Sequence, residues 1–281
     1  WNQADRYKVP RIAFINKMDR TGAEFFEVVS QLDKVLDAKA IPFQIPIGAE
    51  ENFEGIIDIV HFKEYTFEDS IRIEKEISEK HLEKAIEYRK QLIEKLAEFD
   101  EELMQLYFDE KEIPVELLKK VAREAVIKLM ITPVFLGAAY KNKGIQLLLD
   151  AVIDYLPSPV DKGTVVGIDY DNPEKPKLRN PSVKEPFAAL AFKVINDPYV
   201  GQQTFIRIYS GELKSGMGVF NSTKGKTERI GRILKIKAKD REEITEAGPG
   251  DIIALIGLKY TKTGDTLCDS DHKLYLENIH V

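Results

Sequence analysis

The sequence Arg11-Ile12-Ala13-Phe14-Ile15-Asn16-Lys17-Met18-Asp19 is the most informative stretch of the chain. Its continuous apolar run, Ile12 to Ile15, is typical of a short strand that is buried on both faces of a sheet. After Asp19, apolar side chains recur at spacings of three and four, which predicts a helix. Asn16, Lys17 and Asp19 are therefore predicted on a loop between strand and helix, the edge at which open α/β sheets bind ligands.

The three polar side chains suit recognition of guanine. Guanine presents two hydrogen-bond donors on one edge, and a single carboxylate such as Asp19 can accept both through charge-assisted bonds. Adenine presents the wrong groups there, so a site of this kind discriminates by ~10⁴-fold or more. The apolar stem of Lys17 can lie along a ring, and Asn16 both donates and accepts. The alternative is that these residues are the ordinary polar loop after a strand.

A second strand followed by a turn favours the nucleotide hypothesis. Pro133-Val134-Phe135-Leu136 is apolar, and the small residues Gly137-Ala138-Ala139 come directly after it. Small residues let a backbone approach a ligand closely, so an N–H group of this turn can donate to O6 of guanine. An amphipathic helix is predicted to follow, from Ile145 to Leu156.

Several motifs along the chain carry a family resemblance. They are Val9–Ala23, Pro46-Ile47-Gly48-Ala49-Glu50, Lys141-Asn142-Lys143-Gly144, Asp150–Pro159, Asp197-Pro198-Tyr199-Val200-Gly201 and Thr263–Cys268. In this order they resemble bacterial elongation factor G, a family of GTPases that couple GTP hydrolysis to movement of tRNA and mRNA through the ribosome. The resemblance extends over the whole chain.

The resemblance implies roles for the candidate residues. It assigns Asn16, Lys17 and Asp19 to the guanine-specificity motif of the family. It assigns Gly137, Ala138 and Ala139 to the second base-contacting turn, with Ala138 in place of a serine that is common there. It further implies GTP and GDP as ligands, ribosomal RNA and ribosomal proteins as partners, a cytoplasmic location and a monomer.

Other motifs of the family do not occur in this sequence. The Gly-rich phosphate-binding loop is missing, because Gly225-Lys226-Thr227 lacks the preceding Gly-x-x-x-x frame. The threonine and Asp-x-x-Gly loops that hold Mg²⁺ in the family are missing as well. We therefore expect an internal piece of a larger GTPase that contains no catalytic residue, does not hydrolyse GTP alone and binds it poorly, since phosphoryl transfer needs those parts.

The pattern of predicted elements gives the fold class. We expect the C-terminal part of an α/β P-loop GTPase-type domain, with an inserted α+β subdomain, followed by an all-β barrel domain. The predicted segments are residues 1–40 and 132–160 for the GTPase domain, 41–131 for the insertion, 161–185 for a Pro-rich linker and 186–281 for the barrel. Short predicted strands separated by glycines, at Phe187–Val194, Thr204–Tyr209, Gly218–Asn221, Arg229–Ile236 and Ile252–Leu255, favour a closed barrel.

Charge is unevenly distributed along the 281 residues. The net charge is −6, but residues 224–241 contain eight basic side chains. Arg229, Arg232 and Lys235 are the candidates for contact with ribosomal RNA phosphates, an interaction that weakens as salt rises. The alternative is that these cations only line the solvated face of a strand whose other face is apolar.

Composition limits the remaining possibilities. The single cysteine, Cys268, excludes an internal disulfide, and no apolar run approaches the ~18 residues of a membrane span. The four histidines, His61, His81, His272 and His280, lack metal-ligand spacing, so no metal site is expected. Two alternatives stay open beside elongation factor G: a ribosome-docking module without nucleotide activity, and a related ribosome-protection protein or release factor.

Overall fold

The computed structural model of the protein describes residues 1–276. The chain divides into two compact units, Trp1–Pro157 and Ser158–Val281. Among the sequence predictions, the statement on His280 lies outside the described residues.

The first unit combines helices with two small sheets. Its helices are α1 (Asn2–Arg6), α2 (Phe25–Leu36), α3 (Glu79–Ala97), α4 (Glu101–Phe108), α5 (Val115–Ile127) and α6 (Ile145–Tyr155). Its strands are β1 (Ala13–Ile15), β2 (Ala40–Pro42), β3 (Gln44–Ile47), β4 (Gly55–Asp58), β5 (Lys63–Glu68), β6 (Ile71–Lys75) and β7 (Thr132–Leu136).

The parallel sheet has the order β1-β7-β2. All five residues of the central strand β7 are buried, as its unbroken apolar sequence predicts. Strand β1 was expected to be buried on both faces, yet Ala13, Phe14 and Ile15 are each only half-buried. The reason is position: β1 lies at the edge of the sheet and pairs with β7 on one side only, among the residues that the structure describes.

The polypeptide between β2 and β7 forms its own antiparallel sheet, in the order β3-β4-β5-β6, followed by helices α3, α4 and α5. Strand β2 itself belongs to the parallel sheet and pairs with β7 from Ala40 to Pro42. The buried amide of Gln44 joins the two sheets, because its Oε1 accepts a hydrogen bond from Leu136 N at 3.0 Å. A buried polar side chain is stabilising only when it is satisfied in this way.

The core of the first unit packs the insertion against the parallel sheet. Phe43 contacts Phe135 and Tyr155 edge-on, with ring centroids 5.8 and 5.1 Å apart. Leu96 and Leu118, from helices α3 and α5, are completely buried in the same apolar cluster. Burying a side chain of this size contributes ~1.5–3 kcal/mol. The insertion is therefore an integral part of the first unit's core.

The second unit is almost entirely β. After the short helix α7 (Pro159–Lys162), its strands are β8 (Val165–Asp169), β9 (Pro176–Arg179), β10 (Ala188–Asp197), β11 (Gly201–Ser210), β12 (Leu213–Lys214), β13 (Gly218–Asn221), β14 (Lys226–Arg229), β15 (Arg232–Lys237), β16 (Asp240–Ile244), β17 (Glu246–Ala247), β18 (Ile252–Ile256), β19 (Thr266–Cys268) and β20 (Leu274–Tyr275). Strands β8 and β9 lie in the segment expected to be a linker and form a small sheet with β20.

The main sheet of this unit has eight strands, in the order β14-β13-β19-β10-β11-β18-β15-β16. The sequence predicted one strand over Arg229–Ile236, whereas the structure has two, interrupted at Ile230-Gly231. At the interruption the backbone closely approaches strand β18, because a Cβ at Gly231 would lie 2.8 Å from the carbonyl oxygen of Ile256. Hydrogen bonding among residues 1–276 leaves this sheet open, so a closed barrel is not established by the strand pairing.

Glu228 stabilises the second unit through a buried carboxylate. Its oxygens accept hydrogen bonds from the backbone N–H groups of Lys259, Tyr260 and Thr261 at 2.7, 2.9 and 3.1 Å, and from the Thr261 hydroxyl. Burial alone would raise the pKa of Glu228, but these donors outweigh it and lower the pKa below its ordinary value.

We expect Glu228→Gln to destabilise the second unit by ~2 kcal/mol at pH 7, because an amide NH₂ would face N–H donors. A carboxyl group with a lowered pKa stabilises the fold above its unfolded pKa, ~4.3, and loses this effect as the pH falls through the folded value. The difference between wild type and variant should thus shrink on acidification. Urea unfolding followed through NMR signals of β13 and β19 measures it, and a difference independent of pH contradicts the argument.

Among the described residues, no helix is both long enough and apolar enough to cross a membrane.

Candidate functional site

The two predicted loops meet because their strands are neighbours in the parallel sheet. Strands β1 and β7 are parallel, and Ile15 lies opposite Leu136. The segments that follow the two strands therefore leave the sheet at the same edge. Gly137 joins the two loops through two backbone hydrogen bonds. The N–H of Gly137 donates to Ile15 O at 3.0 Å, and the carbonyl oxygen of Gly137 accepts from Met18 N at 3.1 Å. The carboxyl ends of the two strands thus form one continuous surface.

Asn16 connects the loops with its side chain. Its Oδ1 accepts hydrogen bonds from Lys17 N at 2.8 Å and from Ala139 N at 2.9 Å. Lys17 has a φ of +61°, a left-handed conformation that L-residues adopt at a cost, and its side chain is exposed. The Asn16 side chain therefore connects the two loops, although Asn16 and Ala139 are 123 residues apart in sequence.

Asp19 lies on the loop after strand β1, and its side chain is 12% exposed. Its Oδ2 is 3.0 Å from Nζ of Lys141, whose side chain is largely exposed. The hydrogen bond from Lys141 holds the pKa of Asp19 below its ordinary value, although burial opposes this shift. The sequence reasoning gave Lys141 no role, but it lies in Lys141-Asn142-Lys143-Gly144, directly after the second turn.

The second turn is tightly built around two glycines. Ala138 and Lys143 exchange two backbone hydrogen bonds, of 2.9 and 3.1 Å. A Cβ at Gly137 would lie 2.3 Å from Lys143 O, and one at Gly144, where φ is +88°, would lie 2.7 Å from Leu136 O. Small residues in this turn are thus a steric requirement, in addition to allowing a ligand to approach.

The surface offers a specific set of polar groups. Asp19 supplies two acceptor oxygens, Asn16 supplies an amide, and the backbone of Ala139 supplies an N–H that Asn16 already uses. Tyr140 adds an aromatic ring that is 96% exposed, which the sequence reasoning did not single out. A flat heterocycle with donors on one edge and an acceptor on the next matches this arrangement.

Two of the three basic candidates of the second unit have acidic neighbours. Arg232 lies 3.1 Å from Glu243, and Lys235 is paired with Glu242 across the β15–β16 ladder. Arg229 Nε donates to the Gly216 carbonyl oxygen at 3.1 Å. These partners reduce the local positive charge, so contact with ribosomal RNA stays a prediction from sequence.

The histidine, cysteine and carboxylate side chains of residues 1–276 are dispersed. Within this range, no three His, Cys, Asp or Glu side chains are grouped closely enough to hold one. His61 instead lies 2.9 Å from Asp58, whose hydrogen bond raises the pKa of the imidazole.

Comparison with protein families identifies both units. The model described as the Elongation factor Tu GTP binding domain matches residues 1–158, and the model described as Elongation factor G domain 2 matches residues 186–270. The chain belongs to the translational GTPases of the elongation factor G type. Its α/β unit with the strand-loop surface is the GTPase portion, and its β unit corresponds to domain 2 of that factor.

One solved structure resembles nearly the whole chain. A crystal structure of a protein from the bacterium Thermus thermophilus superimposes with a TM-score of 0.79 at 26% sequence identity. The alignment covers 97% of this chain and 38% of the Thermus protein, so the chain spans less than two fifths of that protein's length.

Proposed function

We propose that this chain recognises the guanine base of GTP and GDP, as part of a translation factor that promotes movement of tRNA and mRNA through the ribosome. In this proposal Asn16, Lys17 and Asp19 contact the base from one loop, and Gly137, Ala138 and Ala139 contact it from the other. By family analogy the factor works in the cytoplasm as a monomer. Family membership supports translation over an unrelated docking role.

The observation that carries the proposal is the hydrogen bond from Ala139 N to Asn16 Oδ1. It brings the carboxylate loop and the small-residue turn together, as guanine recognition requires. In the proposed complex the bound base would replace two polar contacts that exist within the protein. Its N1–H and N2 amine would replace Lys141 on Asp19, and its O6 would compete with Asn16 for the N–H of Ala139.

The phosphates and Mg²⁺ require groups that the sequence of this chain does not supply. Phosphoryl transfer depends on a phosphate cradle, a metal and a positioned water. We therefore propose that hydrolysis belongs to the whole factor and that base recognition is the contribution of these residues. A base-only site binds weakly, since much of the affinity of such sites comes from the phosphates.

We also propose that the eight-stranded sheet curls into a barrel. Its strands β14 and β15 are first and seventh in the order, yet only Ile230 and Gly231 separate them in sequence. Six strand spacings of ~4.8 Å would separate them by ~29 Å in a flat sheet, whereas this connection reaches ~11 Å at most. Strong curvature of the sheet removes this conflict.

The test is an NMR titration of the ¹⁵N-labelled chain with GDP and, separately, with ADP. We expect GDP to shift the amide signals of Asp19, Ala139 and Tyr140 with a dissociation constant at least tenfold lower than that of ADP. Equal responses to the two nucleotides, or shifts confined to other surfaces, would overturn guanine recognition by this site.

A further inference from the structure

The motif Pro46-Ile47-Gly48-Ala49-Glu50 supplies none of the candidate base-contacting groups, although it lies beside the carboxylate loop. Gly48, with a φ of +74°, turns the chain after strand β3. Ala49 then packs against the apolar cluster that contains Met18 and Ala138. The motif thereby places Glu50, which follows strand β3 of the inserted sheet, next to the loop that carries Asp19.

Glu50 holds the backbone on both sides of Asp19. Its N–H donates to the carbonyl oxygen of Met18 at 2.8 Å, and its Oε1 accepts from the N–H of Gly22 at 2.9 Å. Met18 precedes Asp19 directly, and Gly22 follows it three residues later. A charge-assisted bond to a backbone N–H is among the stronger hydrogen bonds in proteins.

The backbone conformation of Glu50 indicates that its side chain matters. Its φ is +57°, which is unfavourable for any residue with a Cβ and which glycine adopts freely. For the backbone alone, glycine would serve better than glutamate at this position. What glycine lacks is the carboxylate that binds Gly22.

The same segment also contacts the second turn. Phe53 closes a turn onto Glu50, with its N–H 3.2 Å from Glu50 O. The carbonyl oxygen of Phe53 accepts from Lys143 Nζ at 3.3 Å, and the ammonium lies 5.8 Å from the centre of the Phe53 ring. Glu50 and Phe53 of the insertion therefore support the two loops of the candidate base site.

We propose that Glu50 is a positioning residue for guanine recognition. By binding the Gly22 N–H, its carboxylate fixes the loop so that Asp19 points at the base before the ligand arrives. Such preorganisation improves affinity because less ordering is left for the binding step. The inference rests on the proposed function, and it makes the inserted sheet a determinant of nucleotide affinity.

Four variants of the full chain test this role. Glu50→Ala removes the acceptor, Glu50→Gln retains an acceptor oxygen, and Glu50→Gly removes the acceptor but relieves the left-handed backbone. Glu51→Ala is the matched control, because Glu51 lies in the same short 3₁₀ helix, is exposed and has no hydrogen bond or ion pair to any described residue. For each protein, NMR gives the hydrogen exchange rate of the Gly22 amide without ligand, the GDP dissociation constant and the melting temperature.

We expect exchange at Gly22 and the dissociation constant for GDP both to rise ~10-fold in Glu50→Ala and Glu50→Gly. Glu50→Gln should stay within ~3-fold of wild type, and Glu51→Ala should not change. The decisive variant is Glu50→Gly, which should melt no lower than Glu50→Ala while binding GDP equally weakly. A role in stability alone predicts that glycine restores affinity.

The outcomes separate this inference from the proposed function. Guanine-selective binding that is unchanged in Glu50→Ala overturns the positioning role and leaves the base site intact. If the wild-type chain does not distinguish GDP from ADP, the proposed function fails instead. In that case Gly22 exchange alone decides whether Glu50 holds the loop, and an unchanged rate in Glu50→Ala refutes it.

Discussion

Asp19→Asn is expected to change the preferred base from guanine to xanthine. In the proposed site the carboxylate of Asp19 would accept from N1–H and the N2 amine of guanine, whereas an amide would present its NH₂ to that amine. Xanthine has a carbonyl oxygen at the same position, so the amide can donate to it. Because the unmatched pair leaves partly buried polar groups unsatisfied, we expect the ratio of GDP affinity to XDP affinity to fall by ~100-fold.

NMR titrations of both proteins with GDP and XDP measure this ratio. The substitution also removes the Lys141 ion pair, but this pair lies near the surface and affects folding stability little. Asp37→Asn is a suitable control, since Asp37 is exposed and has a φ of +48°, which asparagine tolerates well. A parallel loss of affinity for both nucleotides would mean that Asp19 does not select the base.

The second large effect is expected for Gly48→Ala. A Cβ at Gly48 would lie 1.8 Å from the carbonyl oxygen of Asn52, and φ is +74°. Neither strain can be relieved by moving a flexible side chain, because the obstacle is backbone. We expect the first unit to lose ~3 kcal/mol or more, from the left-handed backbone and the steric overlap together.

Gly22→Ala provides the comparison within the same site. Gly22 also has a positive φ, of +87°, but a Cβ there would meet nothing within 4 Å. It should therefore cost only ~1 kcal/mol. Urea unfolding followed by Trp1 fluorescence reports on the first unit, which contains the only tryptophan. Equal losses in the two variants would show that the close approach at Gly48 is not what demands glycine.

Local patterns in the sequence predicted the parallel strands and the site loops well. The apolar runs at Ile12–Ile15 and Pro133–Leu136 became β1 and β7, and the helix predicted after Gly144 is α6. The strand predicted at Gly218–Asn221 has the same bounds in the structure. These elements are encoded by short-range periodicity and turn residues, so the chain itself displays them.

Other features depended on neighbours distant in sequence. The prolines of residues 161–185 predicted a linker. In the structure, strand β8 of this segment pairs with β20, with Asp169 opposite Leu274. In helix α3, Ile86 and Ile93 lie on one face because they are seven residues apart, yet Ile86 is 53% exposed and Ile93 only 8%. Helical spacing indicates which residues share a face, but packing decides how much of that face is covered.

The sequence by itself determined the elongation factor G family, the alternating order of elements and the identity of the candidate base loops. Only the tertiary structure decided that Lys141 pairs with Asp19, that Asn16 joins the turn at Ala139, and that Glu50 supports the loop from the insertion. The physical reason is range. Backbone propensity and periodicity act over a few residues, whereas these contacts join side chains to partners 28 to 123 residues away, which only packing brings within hydrogen-bonding distance.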